Sequence, residues 1–465
     1  MELPCILRSI GVFSCIISAV SMTRAQWEPD QRLTFNDSLS SLNINNAWCI
    51  ANGAAGDVHV VWFDKRDGNF EIYYKHSPDN GLTWSADLRL SYTADSSIYP
   101  AVACAGSFIH VLWIETASRD IHYRRSLDHG ASWGPDTALG LYVPYSNNAC
   151  IAASGRFVAI AWTYVSNQIG CICSSTAGSA WSSPTFLQAL DFPSVAVQDS
   201  EVFVVRNNPS RTILLFNRST DCGTTWEPIV TIAGGNDVRT PSIEVRDSII
   251  HVVWRDLRGS WTVLYARSTD RGYSWSTDTI LGRGIYPSIT GVKDKVHVIW
   301  DRNSPSGLLY RYSTNNGQTW SAETVLTIPA GGAFPYPSID CWDSLVNIVW
   351  HDARNGNWEI YYKRKPTSAT VINESQNTDI PQIFTITPSI ISHSIHIVAK
   401  RPAVNPVKLK VFDIKGRRVW QGMINIKGRD AFVDNQRIAG LPAGVYFVLW
   451  DGMKNMPQVK IIKVR

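Results

Sequence analysis

The sequence predicts an all-β protein, a seven-bladed β-propeller followed by a small Ig-like β-sandwich. Three observations support this. An eight-residue box, Ser-x-Asp-x-Gly-x-x-Trp, recurs along the chain, and strands rich in β-branched and aromatic residues recur in step with it. Both patterns stop after residue 365. Four short strands in a repeat of about 45 to 50 residues match the size of a propeller blade.

The box has six copies, which begin at Ser77, Ser126, Ser174, Ser219, Ser268 and Ser313. The third copy has Thr176 in the place of the aspartate, and the sixth has Asn315. An oxygen at this position can accept backbone N–H bonds across a tight turn, and the glycine permits a positive φ. We therefore expect a structural role for Asp79, Asp128, Asp221, Asp270 and Asn315.

The second strand of each repeat ends at a recurring position. Seven such strands can be counted, and they end at Trp62, Trp113, Trp162, Arg206, Trp254, Trp300 and Trp350. The seventh third strand, residues 359–363, is not followed by a box. Residues 27–34, however, read like residues 84–91, which include the end of the first box. We expect this N-terminal segment to complete the last blade and close the ring, which leaves few unpaired sheet edges.

The two ends of the chain differ from the repeats. Residues 1–25 have the features of an export signal, with an apolar stretch at 10–20 that is too short for a confident membrane span. The propeller occupies 26–365, and 366–381 reads as a polar linker. Alternating apolar segments in 382–465 predict the β-sandwich. We expect a monomer that is secreted or held at the outer cell surface, with no transmembrane segment after the signal.

Composition excludes some partners. The formal charge of +4 over 465 residues, without basic runs, gives no reason to expect a nucleic-acid partner. Seven of the nine cysteines remain after the signal, without metal-type spacing. They are expected mainly as small buried hydrophobes, with at most a disulfide or two. We expect no metal and no cofactor.

The box resembles the Asp-box, or bacterial neuraminidase repeat, of the sialidase-like propellers, and the resemblance covers roughly residues 26–365. It implies that the Asp-box turns lie on the face opposite the ligand site. The C-terminal segments 408–417, 441–446 and 460–464 resemble the sorting domain of type IX secretion, although residues 387–389 stand where that family usually shows Pro-Asn-Pro. This resemblance implies export by type IX machinery; the alternative is a plain Ig-like accessory domain.

The loops between second and third strands usually open on the ligand-binding face of a propeller. They carry candidates for catalytic carboxylates, namely Asp64, Glu115, Asp256, Asp301 and Asp352. The basic side chains that could bind a ligand are Arg66, Arg206, Arg211, Arg255, Arg258, Arg302, His351 and Arg354. A ring of Asp and Arg around a central funnel suits an anionic or hydroxyl-rich ligand, because Arg offers a bidentate fork to carboxylates.

An alternative reading of these loops is structural. Asp-x-Arg recurs in the first, fifth and seventh repeats, which suggests an ion pair that stabilises a hairpin or joins two blades. Residues unique to one repeat are better functional candidates, namely Arg206, Arg211, His351 and Glu115. Trp261 and Trp358 could stack on sugar rings or simply pack.

The resemblance leaves two functions open. A sialidase needs three Arg, a Tyr–Glu pair and an Asp. The Arg-Ile-Pro motif of those enzymes is absent here, and they have six blades rather than seven. The leading hypothesis is a propeller that binds a glycan or a cell-surface protein. The alternative is a glycoside hydrolase of the exo-sialidase-like type, which acts on extracellular glycans.

Overall fold

The computed structural model describes residues 27–43, 49–53, 56–144, 149–165, 168–188, 192–330, 334–343 and 345–366, and strand segments between residues 384 and 463. The expected export signal and nearly all of the expected linker lie outside these residues. The described elements are β-strands, as the sequence predicts. The chain divides into two compact units, Met1–Ala369 and Thr370–Arg465.

Seven antiparallel sheets in the first unit form the blades. The first strand of the chain is β1 (Gln31–Arg32). Blade 1 contains β2 (Ser40–Ser41), β3 (Ile50–Asn52), β4 (Val58–Asp64), β5 (Glu71–Ser77) and β6 (Leu88–Arg89). Blade 2 contains β7 (Ser97–Ala105), β8 (Phe108–Glu115), β9 (Asp120–Ser126) and β10 (Thr137–Tyr142). Blade 3 contains β11 (Ala149–Ser154), β12 (Phe157–Tyr164), β13 (Gln168–Ser174) and β14 (Thr185–Gln188).

The remaining blades follow the same pattern. Blade 4 contains β15 (Ser194–Gln198), β16 (Glu201–Asn207), β17 (Ile213–Ser219) and β18 (Val230–Gly234). Blade 5 contains β19 (Arg239–Arg246), β20 (Ile249–Arg258), β21 (Ser260–Ser268) and β22 (Thr279–Arg283). Blade 6 contains β23 (Ile285–Val292), β24 (Lys295–Asn303), β25 (Ser306–Ser313) and β26 (Thr324–Thr327). Blade 7 contains β27 (Ser338–Trp342), β28 (Leu345–Asp352), β29 (Glu359–Pro366) and β1.

The ring closes through the N-terminal strand. β1 pairs antiparallel with β29, so that Gln31 lies opposite Tyr362 and Arg32 opposite Tyr361. The backbone N–H of Leu33 continues the ladder by donating to the carbonyl of Ile360 at 2.8 Å. The innermost strands contact one another from blade to blade, including β27 against β3 across the closure. The predicted strand exchange is therefore confirmed.

The core lies between the blades. The second strands are buried along nearly their whole length, as in β4, because a blade is covered on both faces by its neighbours. Six of these strands were predicted to end at a tryptophan, but they continue beyond it, as β4 does to Asp64. These six tryptophans are at most 1% exposed. Each fills the space between two blades, which explains why a large aromatic residue recurs at this position.

The box turns hold the outer strands together. In the first copy, Ser77 Oγ donates to Asp79 Oδ1 at 3.0 Å, and Asp79 accepts the N–H and hydroxyl of Thr83, both at 2.8 Å. The N–H of Gly81 donates to Ser77 Oγ at 2.7 Å. The glycine has φ +78°, in the left-handed region. The other aspartate copies make the same contacts. Asn315 accepts the N–H of Thr319 at Oδ1 and donates from Nδ2 to the hydroxyl of Thr319, both at 2.9 Å.

The boxes also join neighbouring blades. Trp84 packs edge-on against Tyr362 of the preceding blade, with ring centroids 4.9 Å apart. A side chain at Gly81 would collide with the hydroxyl of the same tyrosine. Equivalent glycine–tyrosine contacts occur at Gly130 with Tyr74, Gly178 with Tyr123 and Gly317 with Tyr265. The box glycine is thus needed for close packing as well as for its φ.

The second unit contains β30 (Phe384–Ile386), β31 (Ile390–Ile391), β32 (Ile395–Ala399), β33 (Val407–Asp413), β34 (Arg418–Ile424), β35 (Asp430–Val433), β36 (Gly444–Asp451) and β37 (Val459–Lys463). Three of these strands form one sheet, β30-β32-β35, and five form another, β31-β37-β36-β33-β34. All strand pairs in the two sheets are antiparallel except β31 with β37. Two such sheets of three and five strands are the components of a small Ig-like sandwich.

Two further features concern the described residues only. The seven described cysteines are free thiols, and five of them are buried. The described part of the chain contains no helix with the length and apolar character that a membrane crossing requires.

Candidate functional site

The propeller has two faces with different roles. The turn residue before each box glycine donates its N–H to the turn between first and second strands of its own blade, as Asn80 does to Gly56 at 2.7 Å. We call the face with these turns the box face. Chain direction places the loops between second and third strands on the opposite side, the loop face. The sequence-derived candidates lie on the loop face.

The Asp-x-Arg motif of blade 1 is a closed ion-pair network. Arg66 contacts Asp64 at 2.6 Å and Asp87 at 2.7 Å, and its guanidinium lies 4.3 Å from the ring centroid of Tyr73. Asp64 is fully buried and also accepts Ser40 Oγ at 2.7 Å. Burial raises the pKa of Asp64, but hydrogen bonds from Arg66 and Ser40 lower it more, so the net pKa lies below its ordinary value.

Blade 7 repeats this network in the same geometry. Arg354 contacts Asp352 at 2.5 Å and Asp30 at 2.7 Å, and its guanidinium lies 4.6 Å from the ring centroid of Tyr361. In blade 5, Arg258 contacts Asp256 at 3.3 Å and Asp278 at 2.6 Å. In all three blades the arginine links the hairpin between the second and third strands to a carboxylate that immediately precedes the outermost strand, namely Asp87, Asp30 or Asp278. These contacts match the hairpin-stabilising interpretation.

Two other candidates are also engaged within their own blades. Arg302 contacts Glu323 at 2.8 Å. Glu115 is 4% exposed and accepts hydrogen bonds from Ser97 Oγ at 2.5 Å, Thr93 Oγ1 at 2.9 Å and Trp113 Nε1 at 2.7 Å. These side chains, like Asp64, Arg66, Asp256, Arg258, Asp352 and Arg354, are thus held by partners of their own blades.

The residue after the second-strand tryptophan behaves differently. In blades 5, 6 and 7 this residue is ionisable and buried: Arg255, Asp301 and His351. Arg255 is 8% exposed, and its guanidinium lies 4.5 Å from the ring centroid of Trp261 and 5.2 Å from that of Tyr286. No carboxylate oxygen of the described residues lies within 4.0 Å of this guanidinium. Burial lowers the pKa of Arg255 below its ordinary value.

Aromatic residues connect these three positions. Tyr286 packs edge-on against Tyr336, with centroids 5.0 Å apart, and against Phe334 at 5.5 Å. Tyr336 in turn packs against His351 at 5.2 Å. The three aromatic rings are half-buried and reach solvent. We call the set Arg255, Trp261, Tyr286, Asp301, Phe334, Tyr336 and His351 the funnel cluster.

Asp301 is the carboxyl group of this cluster. It is 2% exposed, and its Oδ2 has no hydrogen-bond partner among the described residues. Burial raises the pKa of Asp301 to about 7, opposed by the backbone N–H of Arg302. Burial also raises the pKa of Tyr336, with Tyr286 and Asp301 contributing in the same direction.

His351 has a positioning role. Its Nε2 lies 2.6 Å from the carbonyl of Phe334, and its Nδ1 lies 3.0 Å from Ser41 Oγ. Burial lowers the pKa of His351 to about 4, so the ring is neutral and donates from Nε2. Trp358 stacks on this ring at 4.4 Å, as ordinary packing. Both ring nitrogens are therefore engaged, and His351 holds Phe334 in place.

The two arginines of blade 4 are not members of the funnel cluster. Arg206 occupies a tryptophan position and is fully buried. Its Nε donates to the carbonyl of Gln188 at 2.9 Å, and burial lowers its pKa to about 10. Arg211 lies in the loop after β16 and has φ +56°. A fully buried Arg206 has no surface to offer a ligand.

Comparisons with known proteins agree with this architecture. The BNR/Asp-box repeat model matches residues 311–322, which contain the sixth box. A protein of unknown function from Dyadobacter fermentans is 15% identical, with 74% of this chain and 100% of that chain covered and a TM-score of 0.50. The fold is a seven-bladed Asp-box β-propeller. No curated protein sequence matches the chain.

Other solved structures are less similar. Polysaccharide lyase Uly1 is 10% identical, with 74% of this chain and 100% of that chain covered and a TM-score of 0.49. The Hadza microbial sialidase Hz136 is 14% identical, with 70% of this chain and 66% of that chain covered and a TM-score of 0.43. This Asp-box propeller thus spans about two thirds of that sialidase.

Sequence reasoning missed two features of this Asp-box propeller. The first is the contribution of Tyr286, Phe334 and Tyr336 to the funnel cluster. The second lies on the box face, where Asp57, His59 and His76 offer ligand atoms that all lie within 4.8 Å of one another. A comparison of repeats at the positions flanking the strand histidine would have found the second feature, because only blade 1 has this combination.

Proposed function

We propose that this protein is an extracellular glycan-binding propeller whose funnel cluster accepts the carboxylate of an acidic sugar at Arg255. The observation that carries the proposal is the placement of Arg255, between the rings of Trp261 and Tyr286 and with no carboxylate partner among the described residues. An arginine preorganised by aromatic rings loses little freedom when it forms charge-assisted bonds to a carboxylate.

The surrounding rings supply the rest of a sugar site. The half-exposed faces of Tyr286 and Tyr336 suit the apolar C–H faces of a pyranose, and their hydroxyls suit its polar edge. The buried carboxyl of Asp301 is neutral below about pH 7 and does not repel an anionic ligand there. A pocket with a few convergent polar groups among aromatic side chains is the usual composition of a small-ligand site.

The glycoside hydrolase alternative has less support. The exo-sialidase-like form needs three arginines, a Tyr–Glu pair and an Asp, whereas the funnel cluster contains one arginine, two tyrosines and Asp301, and no glutamate. Other glycoside hydrolases need a pair of carboxyl groups available to the substrate, and the funnel cluster contains only that of Asp301. Asp64, Asp256 and Asp352 are held by arginines of their own hairpins, and Glu115 is saturated with hydrogen bonds. Binding without hydrolysis is therefore the function that the funnel cluster supports best.

Titration of the full-length protein with matched sugars tests this proposal. We expect binding of sialyllactose or a galacturonate tetrasaccharide, and weaker binding of lactose or a neutral galactan tetrasaccharide. Arg255→Met removes a charge-assisted contact and should weaken acid-sugar binding at least tenfold, or about 1.4 kcal/mol. Arg302→Met, which removes an ion-paired arginine of the same face, is the matched control and should bind like the wild type.

Isothermal titration calorimetry would distinguish the outcomes. Equal affinities of Arg255→Met and Arg302→Met would contradict the proposed contact. Failure of every sugar to bind the wild type would leave a cell-surface protein as the ligand and overturn the glycan proposal. Release of reducing sugar during the titration would favour the hydrolase instead.

We also propose export through a type IX route, on the strength of the signal-like residues 1–25 and the sorting-domain-like segments 408–417, 441–446 and 460–464. The machinery of that route would then be a second partner. A chain that ends at Lys365 should accumulate in the periplasm, whereas the full chain should reach the medium or the cell surface. Equal secretion of both chains, measured by fractionation, would refute this route.

A further inference from the structure

Three metal-ligating side chains converge on the box face of blade 1, at its boundary with blade 2. Asp57 lies just before β4, His59 lies within that strand, and His76 lies directly opposite His59 in β5. The two imidazole rings are stacked with centroids 4.9 Å apart. We call Asp57, His59 and His76 the blade 1 triad. It lies on the box face, whereas the funnel cluster belongs to the loop face.

The triad departs from the repeat in which it sits. A histidine at the position of His59 recurs in three other blades, as His110, His251 and His297. Each is hydrogen-bonded to a tyrosine of the third strand, as His59 is to Tyr74 at 2.7 Å. The residue opposite this histidine is Arg125, Arg267 or Tyr312 in those blades.

Blade 1 therefore replaces a cation or a phenol with a second imidazole. The position of Asp57 is taken by Phe108, Ile249 and Lys295 in the same three blades. The His–Tyr pair is thus part of the scaffold, and the added carboxylate and imidazole are specific to blade 1. A feature that the repeat does not require has to be explained by something other than the fold.

The geometry leaves the right atoms available. His59 is fully buried and uses Nδ1 for Tyr74, while its Nε2 has no hydrogen-bond partner among the described residues. Nε2 of His76 lies 3.2 Å from Oδ1 of Asp57. Two ligands at about 2.0 to 2.1 Å from a tetrahedral zinc ion lie roughly 3.3 Å apart, so this pair needs almost no adjustment.

A neighbouring residue of blade 2 orients the carboxylate. His129, in the box of that blade, has its Nδ1 2.6 Å from Oδ2 of Asp57. Hydrogen bonds of this kind fix a ligating carboxylate and leave its other oxygen for the metal. The side chains of Asp57 and His76 are 11% and 21% exposed, which gives an ion a path to the site.

The absence of a side chain at residue 53 keeps the triad open. The position where Gly53 would carry Cβ lies 3.0 Å from Cβ of Asp57, 3.3 Å from Nε2 of His59 and 3.1 Å from Sγ of Cys104. Of the three atoms, Nε2 of His59 and Sγ of Cys104 are of types that can bind a borderline metal, and Cβ of Asp57 carries a carboxylate that can do so. Cys104 belongs to β7 of blade 2 and is a free thiol.

We propose that Asp57, His59 and His76 bind one Zn²⁺ ion through Oδ1, Nε2 and Nε2, with His129 as the residue that positions Asp57. Two imidazoles and one carboxylate are a common protein ligand set for zinc, and three protein ligands leave a fourth position for water or for the Cys104 thiol. The ion would also connect blade 1 to blade 2 through the Asp57–His129 contact.

Calorimetric titration of the full-length, EDTA-dialysed protein with ZnCl₂ tests the site. We expect one high-affinity ion per chain in the wild type. His76→Ala and Asp57→Asn each remove a ligand and should weaken that binding at least 100-fold. The matched control is His122→Ala, because His122 also contacts a carboxylate, Asp136 at 2.7 Å, and is similarly exposed at 17%, but belongs to no triad.

The outcomes separate a built site from surface histidine binding. If His122→Ala binds Zn²⁺ as tightly as the wild type and His76→Ala does not, the triad is the site. If the two variants bind Zn²⁺ with equal affinity, the proposal is overturned. The melting temperatures of all variants, measured in EDTA, should agree within a few degrees, which shows that the substitutions leave the metal-free fold intact. The visible spectrum of the Co²⁺-loaded wild type gives an answer without any variant, since intense bands indicate four-coordinate ligation and weak octahedral bands refute it.

Discussion

Trp27 packs edge-on against Tyr310 of blade 6, with ring centroids 5.0 Å apart and an interplanar angle of 88°. The same relationship joins the box tryptophan Trp84 to Tyr362 of blade 7 at 4.9 Å. Trp27 therefore takes the place of the tryptophan that the missing seventh box would supply. The N-terminal segment completes both a strand and a blade boundary.

This contact makes a prediction about stability. Trp27→Ala removes an aromatic pair and part of the interface between blades 6 and 7, and should lower the free energy of unfolding by about 2 to 3 kcal/mol. Deletion of residues 26–36 removes β1 as well and should lower the melting temperature much further. Urea denaturation and thermal melting measure the two effects. Trp342→Ala, at a tryptophan that is 48% exposed, is the control and should change little; if Trp27→Ala behaves like it, the closure is not stabilising.

The box glycines give a second prediction. Gly317 has φ +76°, and a side chain there would collide with the hydroxyl of Tyr265 in blade 5. Gly106 has φ +65°, but its Cβ position meets no atom within 4 Å. Gly106→Ala should therefore lower the free energy of unfolding by only about 1 to 2 kcal/mol, the cost of placing an alanine in the left-handed region. Gly317→Ala should lower it by clearly more, because it also creates a steric collision.

Tyr265→Phe provides the internal test of that explanation. Removal of the hydroxyl, whose oxygen would be the atom nearest to the added Cβ, relieves the worst part of the collision, although the ring carbon Cζ would still lie 2.5 Å away. The double variant Gly317→Ala/Tyr265→Phe should therefore be more stable than the sum of the two single losses. Strictly additive losses in urea denaturation would show that the packing between boxes and tyrosines does not limit residue 317.

Because the sequence repeats, the fold could be predicted from it. The two candidate sites could be predicted only in part. Six boxes, seven second strands and the match of residues 27–34 to 84–91 were enough to predict seven blades and their closure. Recurrence also indicated that Asp-x-Arg is structural, and the contacts of Arg66 and Arg354 agree. These inferences depend on local patterns, which a repeat displays many times over.

The two candidate sites depend on relations that no local pattern displays. Arg255 meets Tyr286 only because two neighbouring blades place them at one end of the axis. His59 meets His76 through the register of β4 and β5, and a shift by one residue would put the two imidazoles on opposite faces. The burial that raises the pKa of Asp301 is likewise a property of the assembled ring.

A third prediction concerns pH and the buried histidine of blade 6. Burial lowers the pKa of His297 to about 3, with Lys295 and Lys365 acting in the same direction, and its Nδ1 is bonded to Tyr310 at 2.7 Å. In the unfolded chain the pKa is about 6.5, so the unfolded state binds a proton that the folded state does not. The contribution to stability is therefore complete above pH 6.5 and is lost as pH falls, by up to about 2 kcal/mol at pH 5.

Blade 7 suggests the variant that isolates this effect. Asn347 occupies the equivalent position and bonds to Tyr362 at 2.5 Å without a titrating group. His297→Asn should therefore keep the fold and reduce the loss of stability between pH 7.5 and 5, measured by urea denaturation. The comparison with the wild type cancels other titrating groups, such as Glu244, whose pKa burial raises to about 8. An unchanged pH slope in His297→Asn would contradict the prediction.

The last prediction concerns ligand binding and rests on the proposed acidic-sugar site. Burial raises the pKa of Asp301 to about 7, and the carboxyl faces Tyr336 and the backbone of Arg302. Below that pH the group is neutral, and above it the group carries a charge that repels a ligand carboxylate at Arg255. Affinity for sialyllactose should therefore fall by roughly tenfold between pH 6 and 8.5, because a like charge within the cluster costs on the order of 1 kcal/mol.

Asp301→Asn keeps the shape of the side chain and removes its titration, so its affinity should be independent of pH over this range. Asp67→Asn removes a carboxylate of the loop face in blade 1, where Asp67 contacts Arg89 at 3.0 Å, and should leave the pH dependence as it is in the wild type. Calorimetric titrations at pH 6, 7 and 8.5 measure all three proteins. If Asp301→Asn loses affinity with rising pH as steeply as the wild type does, the charge that matters lies elsewhere in the funnel cluster, and Asp301 is not its sensor.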